Sequence, residues 1–162
     1  TNIHEIIDDI TMLFQKKFEE RKIELEKDFC ANMPELTAVQ DQIKQVILNL
    51  VQNAEESIAE DKGNITIKTE CDDLSIIIQI EDTGDGISKQ NMSTIFEPFF
   101  TTKPAVTGTG LGLSVCYGII KKHKGDIKVE SEQGKGTTFS IILPFIRSSS
   151  IQSVEREHQS AK

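Results

Sequence analysis

The stretch that most constrains this chain is a run of aliphatic residues, Leu74 to Ile80, that passes straight into Glu81-Asp82-Thr83-Gly84-Asp85-Gly86-Ile87. Ile76, Ile77, Ile78 and Ile80 are β-branched and nearly continuous, so the run reads as a buried strand. A strand that ends on an acid and two glycines can deliver a carboxylate to a ligand. Gly84 and Gly86 admit φ > 0 and put no Cβ in a ligand's way. By itself the pattern more often marks an ordinary turn, so the rest of the chain must decide.

Size and charge narrow the classes. A chain of 162 residues is one domain with room for a core. Its formal net charge of -8 opposes sequence-independent nucleic-acid binding, which needs a basic surface to displace counterions. The same charge opposes contact with an anionic membrane. No apolar run is long enough to span a bilayer, and no signal peptide is visible. Cys30, Cys71 and Cys116 are odd in number and widely spaced. They match no metal or redox pattern and read as reduced thiols in a cytoplasmic protein.

Ile3, Ile6, Ile7, Ile10, Leu13 and Phe14 recur at helical spacing, which predicts an amphipathic helix over 3–20 with His4 on its surface. Ile23 and Leu25 alternate with charged residues in a half-exposed strand that reaches Cys30. Thr37-x-x-Gln40 fits a capping box and predicts a second helix from Thr37, with Ile43, Val46, Ile47, Leu50, Val51, Ala54 and Ile58 as its buried stripe. Asn49 and Asn53 stack four residues apart, off that stripe. They are either solvent-facing or amide ligands for a magnesium ion that also touches phosphates.

A strand through Ile65 and Ile67 pairs with the Ile76 run as a hairpin. Ser88 caps a short helix through Ile95. The prolines in Phe96–Pro104 exclude a regular element. Thr107-Gly108-Thr109-Gly110-Leu111-Gly112-Leu113 then opens a helical pattern through Leu113, Cys116, Tyr117 and Ile120. A glycine-rich loop at a helix start gathers unpaired N–H groups where a phosphate can sit. The spacing matches neither a Walker loop nor a dinucleotide fingerprint. Two strands follow, through Ile127 and Val129 and through Phe139, Ile141 and Leu143, with a turn at Gly134–Thr137. His123 reads as structural. The domain is expected over 1–146, with a disordered tail over 147–162.

Taken together, the pieces resemble the catalytic domain of sensor histidine kinases. Asn49-Leu50-Val51-Gln52-Asn53-Ala54 resembles their asparagine box. Asp82-Thr83-Gly84-Asp85-Gly86 resembles the first glycine box, and Phe96 to Lys103 the phenylalanine box. Gly108 to Leu113 resembles the second glycine box, and Gly134 to Phe139 the closing strand turn. The Phe99-Phe100-Thr101-Thr102-Lys103 wording is similar to that of nitrogen-regulator-type kinases. The wider superfamily of DNA gyrase, MutL and a heat-shock chaperone shares only the asparagine and glycine pieces.

The resemblance implies an α/β two-layer sandwich, a mixed and mostly antiparallel sheet packed on helices. It implies ATP and Mg2+ as cofactors. ATP would lie between the Asn49–Asn53 helix and a lid running from Phe96 to Gly112. Asp82 would accept from the adenine 6-amino group and reject guanine. Thr137 would support Asp82 through a water. Gly84 and Gly86 would open the base pocket, with Ile87 and Phe139 lining it. Asn53, with Asn49 behind it, would hold magnesium. Gly108, Thr109, Gly110, Leu111, Gly112 and Leu113 would wrap the triphosphate, and Lys103 would add a cation.

Departures from the family pattern are Glu56, where many relatives carry lysine, and Lys124, where many carry glycine. The expected activity is transfer of the γ-phosphate to a histidine on a separate dimerisation domain, with a response regulator downstream and a monomer in isolation. A nucleotide-gated binding module without kinase activity is the alternative. Asn49 stands where gyrase-like relatives have a glutamate, so little ATP hydrolysis is expected.

Overall fold

The computed structural model describes residues 1–60, 62–98, 100 and 112–145. Four helices and five strands follow in the order α1 (Ile3–Glu20), β1 (Ile23–Asp28), α2 (Gln40–Ser57), β2 (Gly63–Cys71), β3 (Ser75–Asp82), α3 (Lys89–Met92), α4 (Gly112–Lys122), β4 (Asp126–Glu132) and β5 (Gly136–Pro144). The strands form one sheet in the order β1-β2-β3-β5-β4. β1 runs parallel to β2 and the other pairs are antiparallel. The parallel pair needs a crossover, which α2 supplies.

The core lies on one face of the sheet. Along β3 only alternate residues are buried, with Ile76, Ile78 and Ile80 inside and Ile77 half-exposed. β5 repeats the pattern with Phe139, Ile141 and Leu143. The Ile76 run therefore does not have two buried faces, as its apolar continuity suggests. One face meets helices and the other is partly open. Ile3, Ile6, Ile7 and Ile10 of α1 and Ile43, Val46, Ile47, Leu50 and Val51 of α2 complete the core, with Cys116 and Ile120 of α4. No described helix is long and apolar enough to cross a membrane.

Three local expectations change, the first being that α3 stops at Met92 instead of reaching Ile95. α2 starts at Gln40, with Val39 at its N-cap and no side-chain cap, so the Thr37 capping box does not form. Tertiary bonds hold the preceding residues extended: the Leu36 N–H donates to the Thr1 carbonyl, and the Val39 N–H to Nε2 of His123 at 3.2 Å. His123 bonds the Ile119 carbonyl through Nδ1 at 2.8 Å, so it joins the end of α4 to the start of α2. His4 is half-buried rather than a plain surface residue. Its ring stacks on Phe29, with centroids 4.2 Å apart.

The far end of α2 is fixed by an ion cluster. Glu55 is buried and pairs with Arg21 and with Lys17, the latter at 3.2 Å. Arg21 also donates to the carbonyls of Glu55 and Ile58 where the helix ends, and the Glu55 carbonyl accepts from the Ile58 N–H at 3.3 Å as well.

Candidate nucleotide site

Asp82 ends β3 at the mouth of the sheet and is only 4% exposed. Its Oδ1 accepts from the Gly84 N–H at 2.8 Å and lies 2.9 Å from the Ser57 hydroxyl. Ser57 Oγ is also 2.9 Å from the Ala54 carbonyl, and its single proton serves one acceptor at a time. Burial pushes the Asp82 carboxyl above the usual carboxylate range. The Gly84 N–H, the Ser57 hydroxyl and the Thr137 backbone pull it back.

The glycine turn is packed against protein on both sides. The Asp85 N–H donates to the Ser57 carbonyl at 2.9 Å, and the Gly134 N–H donates to the Asp85 carbonyl at 2.6 Å. A Cβ on Gly84 would stand 2.6 Å from the Ser57 carbonyl carbon, and one on Gly86 2.2 Å from the Glu132 carbonyl oxygen. Gly86 also has φ +71. In this structure both glycines answer to backbone packing, whatever room they also leave a ligand.

Thr137 faces Asp82 across the β3–β5 ladder. Its hydroxyl lies 2.8 Å from Ser131 Oγ, and Ser131 also accepts from the Ile87 N–H at 2.7 Å. Ser131 thus joins the glycine turn to β5, and the part of Thr137 that acts on Asp82 is its backbone. Phe139 is buried, with Phe96 edge-on at 6.4 Å between centroids. Ile87 and Leu113 are partly buried against the core.

Asn49, Asn53 and Ser57 follow at four-residue steps along α2. They span two turns, about 12 Å of helix rise. Asn49 Nδ2 points at the Gly112 carbonyl, 3.5 Å away, where α4 begins. One helix therefore carries a polar stripe from the acid at the end of β3 to the start of α4. Lys103, Gly108, Thr109, Gly110 and Leu111 lie outside the described residues.

Two residues escaped the sequence reading. Ser57 repeats the Asn49–Asn53 spacing once more, a signal that was available. Ser131 carries no such signal, because strand pairing alone brings it to Thr137. An open depression of about 360 Å³ also lies at this end of the sheet, lined by Asp82 and Thr137 but also by Glu81, Glu130 and Glu132. With Asp82 it sets four carboxylates against one ammonium, Lys135, a balance that disfavours a polyphosphate there.

The family model for the histidine kinase-, DNA gyrase B-, and HSP90-like ATPases matches residues 38–147. The chain belongs to this family. A nucleotide-free catalytic domain of the histidine kinase ThkA superposes with a TM-score of 0.80 at 33% identity, covering 90% of this chain and 96% of that one. Sporulation kinase E of Bacillus subtilis is 39% identical over 145 residues, 88% of this chain and 19% of the relative. The sensory histidine kinase/phosphatase NtrB of Vibrio alginolyticus is 35% identical over 158 residues, 90% of this chain and 44% of that protein. The chain thus spans less than half the length of these curated relatives. It is a histidine-kinase-type ATPase catalytic domain with the two-layer fold of that group, as its asparagine, glycine and phenylalanine motifs imply.

Proposed function

We propose that this domain grips Mg-ATP by both ends and offers the γ-phosphate to a histidine on a separate dimerisation domain. The supporting observation is the polar stripe of α2, Asn49, Asn53 and Ser57, which leads from buried Asp82 to the N-terminus of α4. Asp82 accepts from the adenine 6-amino group, and guanine would set carbonyl against carboxylate. Thr137, Gly84 and Gly86 fix that acceptor, with Ile87 and Phe139 beside the base. The N-terminus of α4, at Gly112 and Leu113, gives the tail peptide N–H groups and a positive dipole end. Gly108, Thr109, Gly110, Leu111 and Lys103 complete that cradle from the residues before it.

Asn53 and Asn49 offer neutral amide oxygens. Among the described residues no group of three or more His, Cys, Asp or Glu side chains could hold a metal. Such a donor set suits magnesium that arrives with the nucleotide and keeps phosphate and water ligands, rather than a resident ion. When bound, the ion neutralises charge on the phosphates. Asn49 is an amide and cannot take a proton from water, which keeps hydrolysis slow. Catalysis is then positioning of the phosphate against an incoming imidazole.

In this reading the domain covers 1–146 and works in the cytoplasm as a monomer until it meets its dimerisation domain, with a response regulator taking the phosphate afterwards. The direct test mixes the chain with a purified histidine hairpin and γ-labelled ATP. Acid-labile label on the hairpin is expected. ATP binding with no transferred label would make this a nucleotide-gated module instead. Asn53→Ala should abolish the extra ATP affinity that magnesium confers. Equal magnesium enhancement in variant and parent would remove Asn53 from the metal's shell.

A further inference from the structure

Cys30 lies two residues past the end of β1, and Cys71 is the last residue of β2. The parallel pairing of these strands brings together two sulfurs that are 41 residues apart in sequence, with Sγ 2.9 Å from Sγ. Both residues are half-buried and neither is bridged. The segment carrying Cys30 is held on two sides. Its own N–H donates to Thr69 Oγ1 at 3.0 Å, and the Phe29 ring before it stacks on His4. Thr69 is buried and also lies 2.8 Å from His4 Nε2. Neither sulfur has far to travel, since a disulfide needs an S–S distance of about 2.0 Å.

We propose that Cys30 and Cys71 form a dithiol that a peroxide converts reversibly to an intramolecular disulfide. The Cys30 thiolate attacks one peroxide oxygen; the O–O bond breaks, the other oxygen leaves as water or alcohol after protonation, and a sulfenic acid forms on Cys30. The Cys71 sulfur then attacks that sulfur. The S–S bond forms, the S–O bond breaks, and the hydroxyl leaves as water with the Cys71 proton. Overall two thiols lose two electrons and two protons, and one peroxide is reduced.

The surroundings of the two thiols assign the order. The Cys71 thiol, which hydrogen-bonds Cys30, together with the Asn32 backbone holds the Cys30 thiol below its ordinary range, which favours the nucleophilic form. Cys116 is a built-in control. It is fully buried, and burial pushes its thiol up to about 11. The bridge would close a loop that contains all of α2, the helix bearing Asn49, Asn53 and Ser57.

The test treats the full 162-residue chain with a small excess of hydrogen peroxide and alkylates it after denaturation. The expected product is a monomer lighter by two hydrogens, with one alkylatable thiol, at Cys116, and a Cys30–Cys71 linked peptide. Dithiothreitol restores three thiols. The oxidised chain should melt about 5–10 °C higher, because the bridge restricts the unfolded chain. Cys71→Ser should stop the reaction at a sulfenic acid on Cys30 that dimedone traps, and Cys116→Ser should behave as the parent. Three alkylatable thiols after oxidation, a bridge to Cys116, or a dimer as the main product would each overturn the proposal.

Discussion

Where α2 ends, Ser57 meets the Asp82 turn twice, through its hydroxyl to the carboxylate and through its carbonyl to the Asp85 N–H, each at 2.9 Å. Two turns earlier on the same helix, Asn49 reaches Gly112 across 3.5 Å. The first contact set aims an acceptor before any ligand arrives. The second is a single long contact at the end that the proposed function gives to the phosphates. Such a division suits a ligand with one rigid end and one charged, flexible end, because a base is read by a fixed acceptor and a triphosphate by groups that gather around it.

The most severe way to break this comparison is Asp82→Asn. The amide can still accept from Gly84 and Ser57, but it turns a donor toward the adenine amine. ATP affinity should fall about 100-fold, the scale of a lost charged hydrogen bond. The fold should not suffer, since the variant removes a buried charge. Calorimetric titration beside a thermal melt checks both, and an unchanged affinity would end the adenine assignment.

Acidity tests the same carboxylate with opposite signs. Its folded value is raised, so the folded chain holds this proton to higher pH than the unfolded chain does. Between those two values stability falls as pH rises. The melting advantage of Asp82→Asn over the parent should therefore be largest at neutral pH and shrink as pH drops through the raised value. ATP affinity of the parent should fall over that same interval. A constant melting difference from pH 7 to pH 4 would contradict the burial argument.

Ser57→Ala should weaken ATP and adenosine alike by about 5-fold, the worth of one hydrogen bond. It should also move the acid fall-off upward, because Asp82 loses a donor. Asn49→Ala should have the smallest effect, about 3-fold on ATP and none on adenosine. If adenosine binding responds to Asn49 as strongly as to Ser57, the two ends of α2 do not divide the ligand as argued.

The strands, the main helices and the family were legible because their signals are local: alternation at Ile65, Ile67 and Ile76, Ile78, helical spacing at Ile43 to Ala54, and glycines at fixed offsets from Asp82. What was not legible depends on contacts between distant residues. Thr37 has the composition of a cap, yet bonds from Leu36 and Val39 to Thr1 and His123 hold that stretch extended. Of the candidate site, the acid at the end of β3 and the four-residue spacing of Asn49 and Asn53 were local patterns and so readable. The Ser131–Thr137 link was not, because it is made by register between β4 and β5. Cys30 and Cys71 looked unrelated for the same reason, since only the β1–β2 pairing makes them neighbours.

That pairing has a kinetic side. β1 is a short edge strand, mostly exposed, and its ladder partner lies beyond a 34-residue excursion that includes α2. The hairpins β2–β3 and β4–β5 can zip from adjacent turns, whereas β1 must wait until α2 has docked and its closure entropy has been met. Ile23 to Asp28 should thus be the last strand to join during folding and the first whose amides exchange with solvent in the native protein.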